Sequence, residues 1–291
     1  IDMGDRYLVA KTDPITFASD EIGWYAVNVN ANDVATTGAV PRWFLATVLL
    51  PGGLADAAMA ERIFTQLADA CAALSITLVG GHTEITHGLD RPLVVGTLLG
   101  EVAPDALVLT GGAGPGDVVL LTKGVPVEAT AIIAREKRAE LLPHFGEDFL
   151  DRAAAFLHEP GISVVRDARV AVAAGGVTSM HDPTEGGLAT ALWELAEASG
   201  HTVRITSAQW PLLEAGERLC AFYGLDPLGA IASGALLLTV RADAAAGVIA
   251  ALREAGIAVY RLGEVSGGPP VVLREGPLPR PPRDELTKLF E

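Results

Sequence analysis

Apolar positions along the chain switch between a period of two and one of about 3.6, which predicts a mixed α/β protein. Residues 7–11 read as a short strand that ends on Lys11-Thr12-Asp13-Pro14, where Pro14 keeps Asp13 out of helical geometry. Asp13 is then either a turn residue or a carboxylate presented at a strand end. Residues 21–37 read as a helix, with Ile22, Ala26 and Val29 on one side and a stop at Gly38-Ala39-Val40-Pro41. Asn28, Asn30, Asn32 and Asp33 crowd its later turns. Asn is a poor helix former, and local conflicts of this kind collect at functional positions. Strand 43–50 follows, then an amphipathic helix over 59–74 with Ile63, Phe64, Leu67, Cys71 and Leu74 inward. Strand 76–79 ends on Gly80-Gly81-His82-Thr83-Glu84. The apolar run 92–102 is continuous enough for burial on both faces.

The pattern breaks over 103–116, where Pro, Asp and several glycines interrupt it, and a new alternation of strand and helix begins at Val118. The expected organisation is a first domain over 1–104, a second over 105–268 and a Pro-rich extended tail over 269–291 that closes on a short helix. In the second domain, strands are expected at 118–122, 202–206, 235–240, 259–265 and, at an edge, 271–273. Helices are expected at 128–138, 147–157, 163–174, 212–223 and 243–255. The most informative stretch is 175–200. A short strand delivers His181-Asp182-Pro183-Thr184-Glu185-Gly186-Gly187 to a helix whose Leu188, Leu192, Leu195 and Ala196 share one face. Gly186 and Gly187 leave room for a ligand to approach the backbone, and a helix N-terminus suits phosphate. The same residues also describe a capped helix with Asp182 or Thr184 as N-cap.

Composition narrows the chemistry. With 291 residues, half of them hydrophobic, the chain can bury two cores. A net charge of −15 leaves no basic stripe for nucleic acid, so an anionic ligand must be drawn by a divalent cation or by backbone dipoles. No apolar run approaches the roughly 18 residues needed to span a membrane. Cys71 and Cys220 both fall in apolar helical patterns and read as buried thiols of a reducing cytoplasm. Ile1 is not a methionine and the strand pattern starts at Tyr7, so residues upstream are expected. The six histidines lack zinc-ligand spacing, no Walker lysine or Gly-x-Ser-x-Gly motif occurs, and Lys11 and Lys123 read as surface lysines. Four acids, however, stand at element ends beside glycines or turns: Asp13, Asp33, Glu84 and Asp182. Such a set suits Mg²⁺ held by carboxylates together with substrate phosphates.

Taken in order, Lys11-Thr12-Asp13, Asn32-Asp33-Val34-Ala35-Thr36-Thr37-Gly38-Ala39-Val40-Pro41, Gly80-Gly81-His82-Thr83-Glu84, Asp182-Pro183-Thr184-Glu185-Gly186-Gly187 and Leu225-Asp226-Pro227-Leu228 with Ala232-Ser233-Gly234 span nearly the whole chain. This order resembles the PurM-like, AIR synthase-related superfamily, which includes thiamine-monophosphate kinase, selenophosphate synthetase and the hydrogenase-maturation factor HypE. The resemblance implies a two-domain α/β (α+β) fold and a homodimer whose first-domain strands close a barrel. It implies ATP between the domains, Asp13, Asp33, Glu84 and Asp182 as Mg²⁺ carboxylates, and Asn32, Asp33, Gly80, Gly81, Thr83, Thr184, Gly186 and Gly187 around the nucleotide.

The nearest branch is HypE-like, with two departures. That branch carries a C-terminal cysteine that is carbamoylated and dehydrated using ATP, whereas this chain ends Thr287-Lys288-Leu289-Phe290-Glu291. It also carries a glutamate near the position of Ser233. The implied activity is Mg²⁺-dependent phosphoryl transfer from ATP to an amide or other oxygen acceptor, on a small molecule or a protein. The alternative is a nucleotide-binding maturation or regulatory factor with reduced turnover.

Overall fold

The computed structural model describes residues 1–15 and 20–290; Glu291, the end of the expected tail, lies outside them. The chain divides into two compact units, Ile1–Leu107 and Val108–Glu291.

The first unit runs β1 (Tyr7–Ile15), α1 (Ile22–Thr36), β2 (Val40–Pro51), α2 (Ala57–Ala73), β3 (Thr77–Thr86) and β4 (Leu93–Val102). Its sheet has the order β1-β4-β2-β3, with β2 and β3 parallel and the other pairs antiparallel. Helix α2 is the crossover that a parallel pair requires. Three strands outrun the sequence expectation, β2 by starting at Val40 and ending at Pro51. β1 continues through Asp13 and Pro14, because it is an edge strand and Pro14 can pair with Val95 there without an N–H to donate inward. β3 continues through Gly80-Gly81. Gly81 lies against Ala46 of β2, and an added Cβ would collide with the Ala46 carbonyl.

Helices α1 and α2 pack so closely that a Cβ on Gly23 would stand 2.7 Å from the Ile63 carbonyl oxygen. Beneath them Phe44, Val48, Val94 and Leu98 are buried. On the opposite face Trp43, Leu45, Leu49, Val95 and Leu99 are only half-buried. Within this unit β4 is therefore covered on one face, where the apolar run predicted two, since its buried positions alternate. Phe64, expected inward, is 41% exposed, at the flank of α2 beside β3.

The second unit contains β5 (Val118–Thr122), α3 (Val127–Glu136), α4 (Arg138–Phe145), α5 (Glu147–Ala154), α6 (Val165–Ala174), β6 (Val177–His181), α7 (Gly187–Ser199), β7 (Thr202–Ile205), α8 (Glu214–Tyr223), β8 (Leu237–Val240), α9 (Ala245–Glu254), β9 (Val259–Ser266) and β10 (Val272–Leu273). The sheet order is β10-β7-β9-β5-β8-β6, antiparallel except for β10 with β7. The predicted face of α7 is the buried one: Leu188, Leu192, Leu195 and Ala196 pack with Val119, Leu121, Leu237 and Leu262. Helix α4 escapes the pattern reading because it is short and holds Pro143.

The residues after β10 do not trail into solvent. Leu278 accepts the Trp193 indole N–H at 3.0 Å, Arg280 pairs with Glu197 at 2.7 Å, and Leu286 is fully buried in a 3₁₀ turn at Glu285–Leu289. This segment is a strap bound across the second unit. Among the described residues no helix is long and apolar enough to cross a membrane.

Candidate functional site

In the first unit two of the predicted acids converge on one cation. Lys11 Nζ lies 2.9 Å from Asp13 Oδ2 and 3.1 Å from Asp33 Oδ2. The alternation of β1 places Lys11 and Asp13 on one side of the strand, and α1 brings Asp33 to the same point. Lys11 is thus a member of the site and not the free surface lysine the sequence suggested. Burial pushes the Asp33 carboxyl up to about 6, against the pull of Lys11 and with the help of Asp13. The Lys11 ammonium is held above its usual range by the two carboxylates, in spite of burial.

The asparagines of α1 account for its odd composition. Asn28 and Asn30 return their amide N–H groups to the carbonyls of Trp24 and Ala26 one turn back, at 2.9 and 2.8 Å. Asn30 also reaches the Asp13 carbonyl at 3.5 Å, which ties the helix to β1 at that carboxylate's own residue. Gly96 is obligatory there, because a Cβ would strike the Asn30 amide. Asn30 was absent from the predicted site; only the excess of Asn in a helix hinted at it. Asn32 is fully buried in the same helix.

Glu84 does not join this pair within the unit. It lies on β3, at the opposite sheet edge from β1, with its carboxylate 3.5 Å from His82 Nε2 and both side chains exposed. Gly80, Gly81 and Thr83 line an open cavity of about 390 Å³ with His82, Phe64 and Leu67.

In the second unit Asp182 follows β6 and is 2% exposed. The turn after it needs both glycines: φ is +77° at Gly186 and +59° at Gly187. A Cβ on Gly187 would stand 2.5 Å from the carbonyl oxygens of Leu228 and Ala230. Ala189 donates its N–H to Leu228 O at 2.9 Å, so the 182–187 turn and the 225–234 loop interlock. The sequence offered Asp182 or Thr184 as the cap of α7. Neither caps it, and Gly186 holds the N-cap position with no side-chain acceptor of its own. Its N–H goes instead to Asp284 Oδ2 at 2.7 Å, across 98 residues of sequence. Thr184 stays nearby, accepting from Gly187 N–H at 2.9 Å.

Two further polar residues are structural. Lys123, at the end of β5 with φ +60°, is buried 3.3 Å from Asp167 Oδ2 and donates to the carbonyl of Ser163. Burial lowers its ammonium below the usual lysine range. Both cysteines are free and buried, as their patterns predict.

The model for the N-terminal domain of AIR synthase related proteins matches residues 1–102, and that for the C-terminal domain matches residues 114–275. The chain belongs to the AIR synthase related, PurM-like family. It is HypE-like in sequence over most of its length. It is 30% identical to the carbamoyl dehydratase HypE of Cupriavidus necator over 256 residues, which is 87% of this chain and 70% of that protein. Against HypE of Rhizobium leguminosarum bv. viciae the identity is 31%, over 85% of this chain and 67% of the relative. A crystal structure of hydrogenase maturation protein HypE in complex with ATP superposes with a TM-score of 0.81 at 26% identity, covering 98% of this chain and 88% of that one. A ThiL structure complexed with AMPPCP and TMP shares the fold at a TM-score of 0.78 and 22% identity.

Proposed function

We propose that this protein is a Mg²⁺-dependent, ATP-using enzyme of the HypE-like type that moves a phosphoryl group to an amide or other oxygen acceptor. The observation that carries the reading is the convergence of Asp13 and Asp33 on one positive charge. Among the described residues no set of three or more His, Cys, Asp or Glu side chains forms a complete metal cage. The Asp13–Asp33 pair suits Mg²⁺, which is commonly held by one or two carboxylates and takes its remaining ligands from water and phosphates. Asp13 and Asp33 would hold the ion, with Asp182 and Glu84 as further carboxylates of the same role. Bound there, Mg²⁺ supplies charge neutralisation on the transferring group, which is most of what phosphoryl transfer needs from a protein. Lys11, already poised between the two acids, would turn its ammonium to phosphate oxygens. Asn32, Gly80, Gly81, Thr83, Thr184, Gly186 and Gly187 are the proposed nucleotide contacts. The HypE structure in complex with ATP supports the choice of nucleotide.

A homodimer is part of the proposal. The half-buried apolar face of β2 and β4 and the exposed edge strand β3, with Leu78, Val79 and Ile85 open, are the surfaces it would cover.

Calorimetric titration with ATP and Mg²⁺, paired with a phosphate-release assay, tests the reading. Saturable, Mg²⁺-dependent binding that Asp33→Asn weakens at least tenfold is the expected result. Binding without turnover across a panel of amide and carboxylate acceptors would favour the maturation-factor alternative. No binding at all would refute both.

A further inference from the structure

The strap lies beyond the family match, which ends at residue 275, yet it closes over both motif segments of the second unit. Asp284, 5% exposed, accepts from Gly186 N–H at 2.7 Å through Oδ2 and from Leu286 N–H at 2.8 Å through Oδ1. Glu285 accepts from Asp226 N–H at 3.1 Å through Oε2 and donates its own N–H to Gly229 O at 3.0 Å. Gly229 makes this seat possible, because an added Cβ would stand 3.0 Å from both Glu285 Cγ and Pro281 Cγ. One strap therefore sets a carboxylate on the 182–187 turn and another on the 225–234 loop.

The first of these seats has a second donor that Asp284 does not use. Among the described residues Thr190 Oγ1 is buried without a hydrogen-bond partner. It stands one turn into α7, so close to Gly186 that a Cβ there would collide with it. A main-chain N–H and a spare hydroxyl thus meet at the head of the helix, where the dipole also favours negative charge. Asp284 spends one oxygen on Gly186 and the other within the strap. A terminal phosphate group brings three acceptor oxygens and can take both donors.

The docked carboxylate is held at a cost. Glu185 of the turn, Glu285 of the strap and Glu128 of α3 surround Asp284 with acids. Arg283, its neighbour in the strap, is exposed, and an exposed cation offsets little of this repulsion in water. Lys288 pairs with Glu285 at 2.6 Å and Arg280 with Glu197 at 2.7 Å. Apart from main-chain bonds, the hold comes from the fully buried Leu286, the Trp193 bond to Leu278 O and the exposed Arg280–Glu197 pair. An incoming phosphate differs from Asp284 in bringing its own divalent cation into these acidic surroundings.

We propose that the strap is a built-in competitor of the nucleotide. Docked, Asp284 holds the Gly186 N–H as a carboxylate stand-in for phosphate, and Mg²⁺–ATP binds when the strap lifts from the head of α7. The competition rests on the proposed role of Gly186 as a nucleotide contact. Its consequence is quantitative: the apparent Kd for ATP is the intrinsic Kd divided by the fraction of chains whose strap is undocked. Weakening the strap's hold therefore tightens ATP binding, whereas loosening a merely structural cap would weaken it or leave it unchanged.

Calorimetric titration with Mg²⁺–ATP and hydrogen-exchange mass spectrometry, both on the full chain, test this together. On saturation, protection of residues 278–290 should fall about tenfold while that of α7 does not. Leu286→Ala removes the strap's buried anchor without touching Asp284 or the proposed nucleotide contacts, and should tighten ATP binding about tenfold. Arg280→Ala breaks an exposed pair, so folding is not at stake, and should tighten it about threefold. Binding to the wild type with undiminished strap protection would overturn the competition and leave the nucleotide reading standing. So would unchanged or weaker binding in both variants. No binding by the wild type or by either variant would refute the nucleotide reading, and the competition with it.

Discussion

Lys11 Nζ stands 3.1 Å from Asp33 Oδ2 and makes the same approach to Asp13, so one ammonium serves two carboxylates. The arrangement resists full ionisation: Asp33 loses its proton only near pH 6. Ionised Asp33 is therefore a stability cost that function has reason to retain. Asp33→Asn should raise the melting temperature by a few degrees at pH 8, where the native carboxylate is charged, by roughly half as much at pH 5, where only the unfolded-state carboxyl is charged, and hardly at all below pH 4. In the same variant, titration with Mg²⁺ and ATP should show the affinity loss. Scanning calorimetry at these pH values decides the stability half.

Lys11→Met removes the charge that pulls the Asp33 proton affinity down, so the Asp33 carboxyl should titrate higher still. The pair is about one-third exposed, so the destabilisation should be only about 1 kcal/mol. Millimolar Mg²⁺ should restore the melting temperature, because a divalent ion can take over between the two acids. NMR titration of the side-chain carboxyls reads the first effect and calorimetry the second.

The Lys123–Asp167 pair is a different case, since both side chains are buried. Lys123→Met strands the Asp167 carboxylate in the second unit, although Thr122 still donates to it at 2.7 Å. A loss of about 3–5 kcal/mol is expected, recovered in large part by Lys123→Met with Asp167→Leu. Urea denaturation of both variants measures it.

Gly187→Ala should be far more damaging than its size suggests. The new methyl meets two main-chain oxygens, of Leu228 and Ala230, at a backbone angle that already disfavours it. The 182–187 turn and the 225–234 loop should part, with a drop of several degrees in melting temperature. Gly224→Ala, at φ +66° with open space around it, is the control and should lose only about 1 kcal/mol.

On the apolar edge of the first unit, the proposed homodimer predicts that wild-type protein runs as a dimer in light scattering and that Val79→Lys together with Ile85→Lys runs as a monomer. Both side chains are more than half exposed on β3, so the fold itself should not suffer.

Sequence by itself determined what depends on neighbours along the chain. The period of α7 named its buried face, Gly38 and Pro41 marked where α1 must stop, and the apolar runs placed most strands. Order alone, from Lys11 to Gly234, carried the family, because each motif holds its own local backbone geometry. Tertiary structure decided what depends on cross-chain contact. Pro14 could stay in a strand only because β1 became an edge, and Gly81 could stay in one because β2 passes so close to it. Lys11 turned from a surface residue into a bridge once α1 delivered Asp33 to β1. The anion at the head of α7 is Asp284, 98 residues away in sequence, whose carboxylate stands 2.7 Å from the Gly186 N–H once the strap packs there. Local periodicity encodes which face is apolar; which distant charge meets which N–H is fixed only when the elements pack.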